Sequence, residues 1–380
     1  MRRHLPTLLL TAAISAAASA AVPSARAAEP VAVSVLVPIT GFLALEGTAQ
    51  RNGAVLALDN PPAGVTVTYD VADTATSPEV AVTALQRALD RDRPVAIAAP
   101  IFGTQMLAMA PIAGRAGVPL VTVSGTAKIT ETGHDVVFRF FPTDAVVKVA
   151  QARYAVQELG ARRPAILYQT TAYGQSGREH LVRTLAELGA EPVLEEAIDT
   201  GIKDMVPALE RARAAGADVL LLQLHSGPTA LAVRQAHGVG LGLPIVAGSA
   251  MHQPTTAALV EPAQLKGVCA ETASSPISDP DPEVAAFAEA YRGRFGAEPD
   301  AFALGQYDGM RMVLAAVADG ARTPQAVKAW LAGRRHAGLA MDYVSDGTGN
   351  MAHDAVIVCY DGAGRVPAIM KRYDAVDGVK

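Results

Sequence analysis

The chain has 380 residues, half of them hydrophobic, only 5% aromatic and 18% charged, with a formal net charge of −5. A chain beyond about 250–300 residues exceeds what one hydrophobic core usually serves, which predicts two lobes. The acidic balance and the lack of a Lys/Arg-rich tract exclude nucleic acid and anionic membrane surfaces as natural partners.

Residues 1–27 read as an export leader. Arg2 and Arg3 precede an apolar run, and Ala25-Arg26-Ala27 supplies the small residues of a cleavage site. The run is too short and Ala-rich for a membrane span, and no cysteine follows it to carry a lipid. A soluble periplasmic chain beginning near Ala28 or Glu29 is therefore expected, exported unfolded and without membrane insertion. Loss of Arg2, Arg3 and Arg26 lowers the basic count from 32 to 29 against 37 acidic residues, a formal charge of −8.

The predicted elements alternate. A β-branched strand at 31–37 passes through Pro38-Ile39-Thr40-Gly41 to a helix at 43–58. A strand at 65–72 follows, then a helix at 79–91 with Ser77 as its cap and Pro78 in its first turn. The stretch 95–126 organises the rest: a short buried strand at 95–99, a helix opened by Gly103-Thr104 and closed by Gly114 and Gly117, and a strand at 118–123 ending in Ser124-Gly125-Thr126. A strand at 136–141 and Pro142-Thr143-Asp144 lead to a helix at 145–159, where a second series of units begins.

That series has strands at 165–168, 192–197, 218–224 and 244–247. Between them lie helices at 178–188, 205–215 and 230–237, with 169–177 read as a loop. A strand at 265–271 returns the chain toward the first lobe. Asp279-Pro280-Asp281-Pro282 caps a helix running to 295, a long helix occupies 299–319, and Thr323-Pro324 starts a short one to 331. Two strands, 355–360 and 367–373, flank the turn Asp361-Gly362-Ala363-Gly364. The βαβα alternation predicts an α/β fold of two lobes, each with a parallel, doubly wound sheet.

Such sheets leave a crevice at the carboxyl ends of their strands, where free helix N–H groups hold polar or anionic ligand groups. Gly103-Thr104 and Ser124-Gly125-Thr126 fall on that rim, as do His225 and Ser226. Cys269 and Cys359 are open to two readings, a disulfide in an oxidising compartment or two separate buried thiols. They form no metal motif, and no cofactor is expected.

Laid out this way, the chain resembles the type I periplasmic solute-binding proteins of ABC transporters, in the branched-chain amino-acid-binding (Leu/Ile/Val-binding) family. The resemblance covers nearly the whole chain after the leader. It is carried by Thr40-Gly41 through Glu46-Gly47, Asn52-Gly53, residues 57–60, residues 100–126, Phe138-Arg139 and Pro142. In the second half it is carried by Tyr173-Gly174, Asp204, Asp218, Arg234-Gln235-Ala236 and Gly240-Leu241. It implies two Rossmann-like lobes joined by three crossover strands, 28–141 plus 272–340 as the first and 142–271 plus 341–380 as the second. It also implies hinge closure on a small-molecule ligand, an inner-membrane ABC permease as partner, and a monomer. Cys269 and Cys359 would lie near neighbouring crossovers.

The family's ligand positions carry over unevenly. Gly103 replaces a usual serine, with Thr104, Ser124, Gly125 and Thr126 left to hold a carboxylate. Tyr173 matches the second lobe's tyrosine. Glu46 stands where an aromatic residue often covers the ligand; it is read either as a carboxylate facing a cation or multiple hydrogen-bond donor, or as a solvated helix-start residue. Ser249 stands where amino-acid binders carry the acid that pairs with the α-ammonium. A buried ammonium without such a partner is costly, so either Glu46 supplies the charge or the ligand is not an ordinary branched-chain amino acid. His225, His252, Gln253 and Gln306 are further polar candidates, and Phe102 and Phe302 candidate apolar walls.

An enzyme is disfavoured, because there is no Gly-x-Ser-x-Gly elbow, phosphate loop or His-x-x-x-His pair. A sensory receptor for a membrane kinase or chemoreceptor reads the same closure as transport and stays open as an alternative.

Overall fold

The computed structural model describes Met1, residues 29–333 and residues 335–379. The leader expected at 1–27 lies almost wholly outside the described residues. The first half runs β1 (Val31–Val37), α1 (Ala44–Leu58), β2 (Val67–Asp73), α2 (Pro78–Arg91), β3 (Ala96–Ala98), α3 (Gly103–Ala116), β4 (Leu120–Thr122) and β5 (Val137–Arg139). These strands form one wholly parallel sheet in the order β2-β1-β3-β4-β5. Successive β1 side chains serve opposite faces: Val33, Val35 and Val37 join one core, and Leu36 joins Ile97, Leu85 and Met106 on the other.

The second half repeats the plan with α4 (Asp144–Arg153), β6 (Pro164–Gln169), α5 (Ala172–Glu187), β7 (Leu194–Ile198), α6 (Val206–Ala214), β8 (Val219–Gln223), α7 (Ser226–Gly238), β9 (Ile245–Ala247), α8 (Pro254–Ala257) and β10 (Val268–Thr272). Its sheet has the order β14-β13-β10-β9-β8-β6-β7, in which β6 to β10 are parallel. The tail strands β13 (Ala355–Cys359) and β14 (Ala368–Tyr373) add on antiparallel. Cys269 and Cys359 are directly opposed on β10 and β13 and form a disulfide, which decides between the two readings of these cysteines.

Between β10 and β13 the chain goes back to the first lobe through α9 (Pro282–Phe295), α10 (Ala301–Ala318), α11 (Pro324–Ala332) and the hairpin of β11 (Arg335–Ala337) with β12 (Asp342–Val344). Met310, Val313, Leu314 and Leu331 enter the core of β1. Residues 342–352, placed with the second lobe by the sequence reading, also pack here: Tyr343 lies 5.0 Å from Phe140, and Asn350 bridges Arg139 on the β5 edge. The apolar Tyr343, Met351 and Ala352 supply the physical reason, since they fill the first core before the chain enters β13.

The cap at Ser77 forms as expected, its side chain accepting from Val80 N, and Asp281 caps α9 in the same way. Two helices start earlier than the sequence suggests. Helix α5 begins at Ala172 with Thr171 as its cap, so Tyr173 sits in a first turn rather than a loop. Its glycines mark close approach instead of a turn: a Cβ at Gly177 would fall 2.1 Å from the Gln223 side chain. Helix α7 begins at Ser226, with Gly227 and Pro228 in a first turn that loses nothing by lacking an N–H.

Candidate functional site

The loops that leave β1, β3, β4 and β5 face those that leave β6, β8 and β9, and between them lies a small cavity. It encloses about 390 Å³ of empty space, its open mouth included. The first lobe lines it with Leu43, Glu46, Ile101, Phe102, Gly125, Phe141 and Phe302, the second with Tyr173, His225, Ser249 and Ala250. Aromatic rings dominate. Phe141 packs 5.0 Å from Phe302, and His225 sits between Tyr173 at 5.0 Å and Phe102 at 6.0 Å.

Of the residues named from sequence, Glu46, Gly125, Tyr173, His225, Ser249, Phe102 and Phe302 meet in this cavity. Gly103, Thr104, Ser124 and Thr126 stand outside its lining. Gly103 is the first residue of α3, and a Cβ there would fall 2.0 Å from Thr126 Oγ1. Thr126 thus occupies the space a serine at 103 would need. The hydroxyls of Ser124 and Thr126 are buried without a hydrogen-bond partner. Gln306 is structural: it bonds Gln50, which in turn accepts from Ile101 N at 2.9 Å and fixes the loop after β3.

Ser249 is tied down from below. Its N–H and hydroxyl donate to Glu271 at 2.9 and 2.7 Å, and Glu271 pairs with Lys148 where both side chains are fully buried. Ser249 is therefore a donor already spent on a structural carboxylate. Asp144, beneath Gly125, is pushed up to about 7 by burial, with Lys148 opposing the shift. Burial also takes His225 down to about 3 and His252 to about 4, so both rings are neutral near pH 7.

Glu46, in the first turn of α1, is 2% exposed, so it is no solvated helix-start residue. Its Oε1 accepts from Ser226 N at 2.9 Å across the cleft, capping α7 from the other lobe, while Oε2 has no partner. Burial raises its pKa, against the Ser226 bonds and its own backbone N–H; the charge of Asp300 adds to the rise. Asp300 caps α10 through Ala303 N and receives Gln253 Nε2 from the second lobe at 2.6 Å. His252 accepts from Ala301 N at 2.9 Å. The sequence named His252 and Gln253, but not that they grip the start of α10.

The helix ends around the cleft consequently differ. Those of α7 and α10 carry carboxylates and that of α5 carries Thr171; α1 has no side-chain cap but holds Glu46 in its first turn, whereas α3, beginning after the cavity residues Ile101 and Phe102, has neither a side-chain cap nor an acid in its first turn. Its first N–H groups have no intrahelical acceptor, which makes this end suited to an anion. Among the described residues no group of three or more His, Cys, Asp or Glu could hold a metal ion. None of the described helices is long and apolar enough to cross a membrane.

Two doubly wound lobes facing each other across a small cavity define the type I bilobal binding-protein architecture. The chain belongs to the periplasmic binding protein family, whose model matches residues 30–365. It is 28% identical over 319 residues to an amino acid binding protein of Pseudomonas aeruginosa, covering 81% of this chain and 84% of the relative. Among solved structures, it resembles a leucine binding protein, LivK, from Thermotoga maritima, with a TM-score of 0.83, 24% identity and coverage of 91% and 99% of the two chains. It also resembles an ABC transporter solute binding protein from R. palustris in complex with 4-hydroxybenzoate, with a TM-score of 0.83, 20% identity and coverage of 91% and 98%.

Proposed function

We propose that this chain is the periplasmic substrate-binding component of an ABC transporter, released from its leader by cleavage. It captures a small carboxylate with an apolar, ring-sized body and no α-ammonium, closes by hinge motion and delivers the solute to an inner-membrane permease. The reading rests above all on the contrast at the cleft: α3 offers an uncapped N-terminus, while Ser249, at the place of the usual ammonium partner, is committed to Glu271. The N–H groups that open α3 at Gly103 and Thr104, with Gly125 on the cavity wall, hold the carboxylate in this account. Phe102, Phe141, Phe302, Tyr173 and His225 enclose the body. The 4-hydroxybenzoate bound to the R. palustris relative belongs to the same chemical class.

Thermal unfolding of the protein with benzoate, hydroxybenzoates and branched-chain amino acids tests it. A ligand at 100 times its dissociation constant stabilises the folded state by about 2.7 kcal/mol. Shifts with the aromatic acids and none with leucine, isoleucine or valine are expected; the reverse pattern refutes the reading.

A further inference from the structure

A chain of four side chains crosses the cleft: Glu46 from the first lobe, Ser226 and Gln253 from the second, and Asp300 from the first again. Ser226 Oγ lies 2.7 Å from Glu46 Oε1 and 2.8 Å from Gln253 Oε1, and Gln253 Nε2 lies 2.6 Å from Asp300 Oδ2. Three contacts this short need three protons. The serine hydroxyl supplies one and the glutamine amide one, because its other end can only accept. With both carboxylates ionised, one contact would set two acceptors against each other in a buried site.

A single additional proton closes the count in two ways. If Asp300 is ionised, Gln253 donates to it and Ser226 donates to Gln253, so Glu46 Oε1 must carry the proton toward Ser226. If Glu46 is ionised, Ser226 donates to it, the amide is turned to donate to Ser226, and Asp300 must carry the proton. Either way Glu46 Oε2 bears none. It is the buried, unpartnered oxygen of a residue that lines the cavity.

We infer that Glu46 and Asp300 share one proton across the cleft, and that Glu46 Oε2 is thereby held as the acceptor that selects a solute carrying a hydroxyl. Burial raises both carboxyls, Asp300 to about 6. The nearest titratable groups, Tyr173 and His225 in the cavity, Tyr291 on α9 and His252 beside Ala301, are neutral; cations stand behind them, Lys148 5.7 Å from the centre of the Tyr173 ring and Arg51 beside Tyr291. Neither Glu46 nor Asp300 forms an ion pair among the described residues. The solute half of this inference rests on the carboxylate reading above; the shared proton does not.

Two variants separate the parts. Asp300→Asn supplies the missing proton permanently: its amide donates to Gln253 while its carbonyl keeps the cap on Ala303 N. Glu46→Gln is oriented by Ser226 N–H, so it puts an NH2 donor where Oε2 stood. The experiment is a carboxyl NMR titration of the protein labelled at Asp and Glu side chains, combined with calorimetric binding of benzoate, 3-hydroxybenzoate and 4-hydroxybenzoate. At neutral pH one proton is expected on the Glu46–Asp300 pair, and Glu46 should be fully ionised in Asp300→Asn. At least one hydroxybenzoate should bind about tenfold more tightly than benzoate, a preference kept in Asp300→Asn and abolished in Glu46→Gln. Two carboxyls titrating independently near their ordinary values would overturn the shared proton. Equal binding of benzoate and both hydroxybenzoates would overturn the acceptor role and leave the carboxylate reading standing. Failure of all three to bind would overturn that reading instead, and the titration alone would then decide the proton.

Discussion

Replacing Lys148 by methionine tests how the floor of the cleft is held. Lys148 and Glu271 pair with both side chains fully buried, and Glu271 also takes the N–H and hydroxyl of Ser249. Methionine fills similar volume but strands the carboxylate, and breaking a buried pair from one side costs about 3–5 kcal/mol. Asp144 adds to this, because Lys148 is the largest influence favouring its charged form. Denaturant unfolding of the parent, Lys148→Met, Glu271→Gln and the double variant would measure it. The double variant should recover at least about 2 kcal/mol relative to additivity, since the amide oxygen still accepts from Ser249 and no charge is left alone. The loss in Lys148→Met should also shrink in acid, where the stranded carboxylate can take a proton. A loss below about 1 kcal/mol that is independent of pH would refute the reasoning.

Three further outcomes follow from the same structure. Gly103→Ser should destabilise by about 1–3 kcal/mol through overpacking against Thr126, and adding Thr126→Gly, which also removes the Thr126 Cβ 2.6 Å from the new one, should restore part of it; unfolding of the three variants checks this. Replacing Cys269 and Cys359 by serine opens a crosslink spanning 90 residues. The chain-entropy estimate for such a loop is about 4–5 kcal/mol, read as a drop in unfolding midpoint that a reductant reproduces in the parent. Asp144 is protonated more readily folded than unfolded, its pKa lying at about 7 against 3.8. The folded state therefore holds the extra proton between these values, and stability falls as pH rises through them, by about 4 kcal/mol in total. Asp144→Asn should flatten that dependence in a pH series of unfolding curves and be the more stable protein above neutral pH.

The sequence showed what depends on local chemistry. The β-branched run of β1 and the caps at Ser77 and Asp281 are legible because periodicity and capping act within a few residues. The early starts of α5 and α7 were hidden because Gly174, Gly177, Gly227 and Pro228 look like loop residues when read alone. Only the packing of Gly177 on Gln223 shows why glycine is needed there. In the cleft, His225 was legible as a residue following a strand, and Tyr173 and Ser249 through the resemblance to the binding-protein family. What was not legible is pairing at a distance: Glu46 meets Ser226 across 180 positions and Lys148 meets Glu271 across 123. The burial of Glu46 and the commitment of Ser249 both arise from such contacts, and so does the displacement of Gly103 and Thr126 from the lining.

The central claim is that the cleft takes a carboxylate without an α-ammonium. Calorimetric titration of the protein with benzoate, followed by the same titration in the presence of excess L-leucine, tests it most directly. The account predicts saturable binding of benzoate that L-leucine leaves unchanged. Binding of L-leucine that displaces benzoate, or L-leucine binding where benzoate does not, would contradict it.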